Sequence, residues 1–226
     1  MREHKDNNSE TAVEPPIIEW GVAAQSFDGG ADSGDQYLVE VFANGALVVV
    51  VDGLGHGPKA AVAGKTAVSI LKAYADHPVA SLLRRCHEGV RRTRGVVMSL
   101  ASFDGCSGTM TWLGVGNVKG LLLRKNGGPR HGRERLVLRG GVVGYNLPTP
   151  RPSVVSVEPG DTLIFATDGL RSVFAEDLTC GDAPQEMADR ILTQYRRGTD
   201  DAMVLVARYV GINEAEPTAR VGGRDG

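Results

Sequence analysis

The sequence predicts an α+β domain in which mainly antiparallel sheets are covered by helices. Three observations carry that expectation. Apolar runs of strand length come first, two helical patterns follow, then more short strands, one helix and a last strand, where a parallel βαβ fold would alternate them. An Asn44-Gly45 pair separates two strand-like runs, which is a strong hairpin signal. Gly and Asn punctuate the later strands at short intervals, notably at Gly116-Asn117.

Residues 1–16 are polar and end in a Pro pair, so they are expected to be a disordered tail, as are residues 211–226; the packed domain is expected over 17–210. A first strand is expected over 17–27, followed by a Gly- and Asp-rich loop. Asp35–Phe42 then runs through Asn44-Gly45 into the β-branched run 46–51. With Asn44 and Gly45 as the two-residue loop, Ala43 pairs with Ala46 and Asp52 falls opposite Tyr37, two positions from Asp35. One hairpin therefore carries both carboxylates to the same end of a sheet.

Pro58 suits a helix first turn, and the spacing predicts a helix over 58–75 with Ala61, Val68, Leu71 and Ala75 inward. After Pro78 a second helix has Val79, Leu82, Leu83, Cys86 and Val90 at core spacing. Its other face holds Arg84, Arg85, Arg91, Arg92 and Arg94, either a solvated basic face or a docking surface for an acidic or phosphorylated partner. Strands are expected over 96–101, 109–115 and 118–124, with a hairpin turn at Gly116-Asn117, and again over 136–138 and 154–157; His131 lies in a polar loop. The turn Glu158-Pro159-Gly160-Asp161 feeds a buried strand, 162–167, that ends at Asp168-Gly169. A helix over 184–195 and a strand over 202–209, entered through Asp200-Asp201, complete the chain.

Hydrophobic residues are 42% of the chain and charged residues 23%, values of an ordinary globular protein. The net charge of −2 gives no general attraction to nucleic acid or to an anionic membrane, so neither is an expected partner. Cys86, Cys106 and Cys180 have neither metal-ligand nor disulfide spacing, which favours a reducing compartment. No apolar segment follows the N-terminal charges, and a cytoplasmic location is expected.

Asp35, Asp52, Asp168 and Asp200 all stand at strand ends. Any one of them can be a turn cap; four brought together would repel unless a cation neutralised them. An all-oxygen donor set suits Mg²⁺ or Mn²⁺ rather than Zn²⁺. Two such ions a few ångströms apart can clamp both oxygens of an in-line phosphoryl displacement.

These blocks resemble the metal-dependent serine/threonine phosphatases of type 2C, in their bacterial SpoIIE-like branch. Ser33-Gly34-Asp35 is similar to the early acidic motif and VDGLGHG, from Val51 to Gly57, to the central one. PGDTLIFATDGL, from Pro159 to Leu170, resembles the third block, preceded by the glycine segment Gly140 to Gly144, and DDAMVLV, from Asp200, the last. The resemblance implies an αββα sandwich of two mainly antiparallel sheets flanked by helices, with two metal ions in a cleft at one end. It implies that Asp52 bridges both ions, that the Gly53 carbonyl binds one, that Asp168 and Asp200 bind the second, that Asp35 acts at the first, and that Asp201 stands behind them. It also implies direct hydrolysis of phosphoserine or phosphothreonine without a phosphoenzyme, on a STAS-domain regulator of a bacterial stress-response or partner-switching pathway. Leu54 stands where larger type 2C enzymes carry His, and no arginine near the domain start is placed as a phosphate clamp. His56, the imidazole beside the central motif, is either a proton-transfer group or a turn residue supporting the loop. The reading from another class is a catalytically silent module that binds a partner through the same cleft or the Arg-rich helix.

Overall fold

In the computed structural model, the described residues are 16–212 except 28, 30, 31, 128–131, 177 and 179. The expected tails up to residue 15 and from residue 213, and His131, lie outside them. The β-branched run becomes β3 (Gly45–Gly53), whose residues 45–51 are all buried because both faces of its sheet are covered. It pairs with β2 (Asp35–Phe42) on one side and β4 (Val96–Asp104) on the other. Antiparallel β5 (Thr109–Val115) continues that sheet, with short β8 (Leu138–Arg139) parallel to β5 and β9 (Ser153–Ser156) antiparallel to it. The second sheet runs β1 (Ile18–Gln25), β11 (Ala202–Tyr209), β10 (Thr162–Ala166), β6 (Lys119–Leu123) and β7 (Arg133–Arg135), antiparallel throughout.

Three apolar layers follow from the alternation of these strands. Val48, Val50, Phe103 and Trp112 of the first sheet meet Leu163, Phe165 and Leu205 of the second between the sheets. Leu47, Val49 and Leu100 face outward onto α1 (Pro58–Ala73) and α2 (Val79–Gly89). Ile164, Val204 and Val206 face α3 (Pro184–Tyr195), through Met187, Ala188 and Ile191. The result is the expected αββα sandwich, each fully buried large side chain contributing roughly 1.5–3 kcal/mol. Among the described residues, no helix is long and apolar enough to cross a membrane.

The buried face of α1 differs from the expected stripe. It consists of Ala60, Ala61, Ala63, Gly64, Ala67 and Leu71, while Val68 is half-buried and the helix ends at Ala73. Small residues let the helix lie close on the strand ends: a Cβ on Gly64 would come within 2.7 Å of the Gly34 carbonyl. On α2 and the turn after it all five expected core residues are buried and the arginines are exposed.

Three local expectations are corrected. The β2–β3 loop is Ala43-Asn44, not Asn44-Gly45, so Phe42 pairs with Gly45 and Asp52 lies opposite Asp35 rather than Tyr37. Only Asn44 has positive φ (57°), as at the second central position of a type II turn. Gly45 is needed for space instead, since a Cβ there would lie 2.1 Å from the Phe42 ring. The second correction concerns Gly116-Asn117, which is no hairpin: it carries the chain from β5 in one sheet to β6 in the other. The Ser99 hydroxyl donates to the Val118 carbonyl (2.6 Å) and holds that crossing. Likewise residues 136–137 form no strand, the pairing falling on β7 and β8 either side of them.

Gly116 has φ 96°, and a Cβ on it would fall 2.2 Å from Val97. Gly116→Ala is expected to destabilise the domain by about 2 kcal/mol or more, read from urea unfolding. Gly140→Ala, where nothing lies within 4 Å of the added carbon, should stay within about 0.5 kcal/mol of wild type. Equal midpoints for the two variants would contradict this account of the crossing.

Candidate metal centre at the mouth of the sandwich

The corrected register makes Asp35 and Asp52 direct cross-strand partners. Asp35 opens β2 and is buried, while Asp52 is half-buried one residue before the end of β3. The other sheet brings its acids to the same mouth. Strands β10 and β11 are antiparallel neighbours, with Ala166 opposite Val204; Asp168 follows the end of one and Asp200 precedes the start of the other. A Cβ on Gly169 would lie 2.0 Å from the Asp201 carbonyl, so the two ends touch through glycine backbone.

Hydrogen bonds then tie the sheets together across the mouth. The Thr167 hydroxyl donates to Asp35 Oδ2 (2.8 Å) and itself accepts from the Met203 amide (2.9 Å). Buried Asp201 accepts from the Gly34 amide (2.8 Å), the Ser33 hydroxyl (2.9 Å) and the Phe27 amide (2.8 Å), and so fixes the β1–β2 loop. Asn117 Nδ2 donates to Asp168 Oδ2 (2.7 Å). Asp200 is exposed and its Oδ1 accepts from the Asp201 amide (2.8 Å). The Gly53 amide donates to the Gly34 carbonyl (3.1 Å), and its α-carbon faces the Ala60 carbonyl, 2.2 Å from where a Cβ would stand. His56 is exposed on the turn after Gly53, and its side chain makes no hydrogen bond or ion pair among the described residues.

Burial, and then the charge of Asp52, push the Asp35 carboxyl up to about 8, with Asp201 and Asp168 adding to the rise and the Thr167 hydroxyl opposing it. Burial, and then Asp168, Asp200 and Asp201, push Asp52 up to about 7. Asp35, Asp52, Asp168, Asp200 and Asp201 thus form one electrostatic unit. As they stand, no group of three or more His, Cys, Asp or Glu side chains among the described residues forms a ready-made metal site. The donor set fits a hard divalent cation in kind, being all oxygen and mutually repulsive.

Thr167 and Asn117 escape a reading that looks only for acids. Thr167 is visible as the residue before Asp168-Gly169; Asn117 reads as a turn former, and only the crossing between sheets aims it at Asp168.

Comparison with known proteins agrees with this fold. The family model of Stage II sporulation protein E (SpoIIE) matches residues 43–210. Phosphoserine phosphatase RsbX of Bacillus subtilis (strain 168) is 25% identical over 185 residues, 80% of this chain and 89% of that one. A solved chain of the bacterial stressosome, described as a modular system adapted to control secondary messenger signalling, superposes with TM-score 0.74 at 28% identity, covering 84% of this chain and 99% of that one. RsbX in complex with magnesium gives TM-score 0.73 at 21% identity, covering 84% and 94%. The sandwich is that of type 2C phosphatase domains.

The raised carboxyls set a pH dependence. Asp35 and Asp52 hold their protons more tightly folded than unfolded, where both titrate near pH ~4. The stability this contributes is complete below about pH 4 and is lost as pH rises through about 7 to 8. In chelator, the melting temperature should fall between pH 5 and pH 8, and Asp35→Asn should flatten the fall. A level profile for the wild type would contradict the shared burial of these charges.

Proposed function

The chain belongs to the SpoIIE family, and from that membership we propose that it is a Mn²⁺/Mg²⁺-dependent phosphoprotein phosphatase acting on phosphoserine or phosphothreonine. The observation that carries this reading is the meeting of Asp35 and Asp52 from one sheet with Asp168 and Asp200 from the other. In this reading Asp52 would serve both ions, the Gly53 carbonyl would hold one, Asp168 and Asp200 would hold the second and Asp35 would serve the first. Bound there, the ions would supply charge stabilisation for an in-line phosphoryl displacement. Thr167 holds one oxygen of Asp35, Asn117 orients Asp168, and Asp201 anchors the loop that carries Ser33 and Gly34.

The resemblance to RsbX and to a stressosome chain supports a phosphorylated STAS-domain regulator of a stress-response or partner-switching pathway as substrate, met in the cytoplasm. The exposed arginines of α2 and of the turn after it would favour an acidic partner. Two of them are engaged within the chain, Arg91 with Glu88 (3.1 Å) and Arg85 over the Tyr74 ring (4.2 Å).

Phosphate release from a phosphoserine peptide, with Mn²⁺ and then with chelator, separates this enzyme from a catalytically silent partner-binding module. Turnover is expected with Mn²⁺ and lost with chelator. Asp52→Asn and Asp168→Asn should each lower it by ~10²-fold or more while the circular dichroism spectrum is kept. Wild-type Mn²⁺ affinity in both variants, measured by titration calorimetry, would remove these ligands from the scheme. Absence of turnover in a Mn²⁺-loaded wild type would establish the silent module.

His56 acts here as a turn residue. His56→Ala should lower the rate by less than ~10-fold and keep both limbs of the pH–rate profile. Loss of one limb would make His56 the proton donor.

A further inference from the structure

Beside the acidic mouth lies an open cleft of about 600 Å³ that the acids do not occupy. One wall is the turn that follows Asp52-Gly53, at Leu54 and Gly55. The other is the loop after β8, through Val142, Tyr145 and Asn146, and Arg94 stands between them. The volume is that of a site for a ligand of several groups, larger than a lone anion needs.

Both walls are fixed. The Leu54 amide donates to the Gly95 carbonyl (3.1 Å). Val96 and Val143 exchange two backbone hydrogen bonds (3.0 and 2.9 Å), and the Val142 amide donates to the Asn146 carbonyl (3.0 Å). The Gly144 amide donates to His87 Nδ1 of α2 (2.9 Å), tying the second wall to the helix that ends just before Arg94. Arg94 is exposed and, among the described residues, no carboxylate pairs with it, unlike Arg91 with Glu88. Its Nη1 lies 2.7 Å from where a Cβ on Gly55 would stand, and Gly55 has φ 85°. The guanidinium thus rests on bare backbone of the acidic motif's own turn. Tyr145 is 74% exposed, a large ring left in solvent on a pinned loop.

We propose that this cleft receives the stretch of substrate flanking the phosphorylated residue, with Arg94 pairing with a carboxylate there and the Tyr145 ring packing on the chain. This rests on the phosphoprotein phosphatase reading. Three residues of chain reach at most about 10 Å, so Gly55 stands within that reach of Asp52, and the Arg94 guanidinium lies against Gly55. A peptide whose phosphorylated side chain enters the acidic mouth therefore lays its neighbours, two or three residues along, into the cleft. An unpaired planar fork offered to solvent suits bidentate pairing with Asp or Glu, and an exposed ring adds contact area at small entropic loss. The occupant is thus an acidic segment, and selection by it would be independent of the phosphoryl group.

The test uses two fluorescein-labelled phosphoserine peptides that differ only in Glu or Gln at the second and third positions on either side of the phosphoserine. The full chain is assayed with Mn²⁺ for kcat/KM and by anisotropy for binding. The wild type should prefer the Glu peptide by about 5-fold, expressed in KM, and Arg94→Ala should abolish the preference. Arg94→Lys should restore part of it, and Tyr145→Ala should weaken both peptides alike. If Arg94→Ala slows both peptides by one factor and leaves their ratio intact, the guanidinium serves the phosphoryl group and the proposal falls. If the wild type treats the peptides equally in both measurements, the proposal also falls. A wild type without turnover that still binds the Glu peptide more tightly, in an Arg94-dependent way, removes the phosphatase reading and leaves the cleft standing.

Discussion

The structure depends on how it tolerates carboxylates packed at one end of its sandwich. Among the described residues, the buried acid away from that end is neutralised directly. Asp161, 3% exposed, has the Arg124 guanidinium at 2.8 Å and accepts from the Lys125 amide as well. Asp35, 4% exposed, has a hydroxyl donor but no Lys, Arg or His partner among the described residues, and its cross-strand neighbour is another acid. A buried charge without its counter-charge is among the more destabilising features a fold can carry. In the proposed function, its presence at a strand end lined by further acids is a place kept for a cation.

The means of keeping that place are mostly glycine and backbone. Gly53 lets α1 close on β3, Gly169 lets the end of β10 touch the start of β11, and Gly34 lies against the Gly53 carbonyl. The neutral donors that hold the acids, Thr167, Asn117, Ser33 and the Gly34 amide, fix carboxylates without cancelling their charge. The alanine face of α1 belongs to the same arrangement, because a bulkier face would lift the helix from the strand ends.

Much of this was legible in the sequence, because hydrophobic period and strand-end acids are local signals. The limits of β2, α3 and β11 and the inward face of α2 all follow from short-range pattern. What escaped is non-local. The hairpin register slipped by two because Asn44-Gly45 satisfies a turn rule, while the space beneath the Phe42 ring decides where Gly45 sits. The passage of β5 into the other sheet is set by packing on Val97 and by Ser99, which no two-residue turn signal records. Arg94 read as the last member of a basic helix face, although it lies beyond the helix and beside the acidic turn.

The division of the acids between two sheets makes the site a gauge of the layer that separates them. Asp35 and Asp52 ride on one sheet and Asp168 and Asp200 on the other, while the spacing between is set by Val48, Val50, Phe165 and Leu205. Interiors packed at crystal-like density pass a change of even one methylene to their surroundings. A conservative exchange deep in that layer, touching no polar atom, would thus be felt at the mouth as a change in the distance between carboxylates. Selection on the chemistry of the acids at the mouth would then reach the apolar interior, and the core of this domain would be held to a narrower range of volumes than folding alone demands.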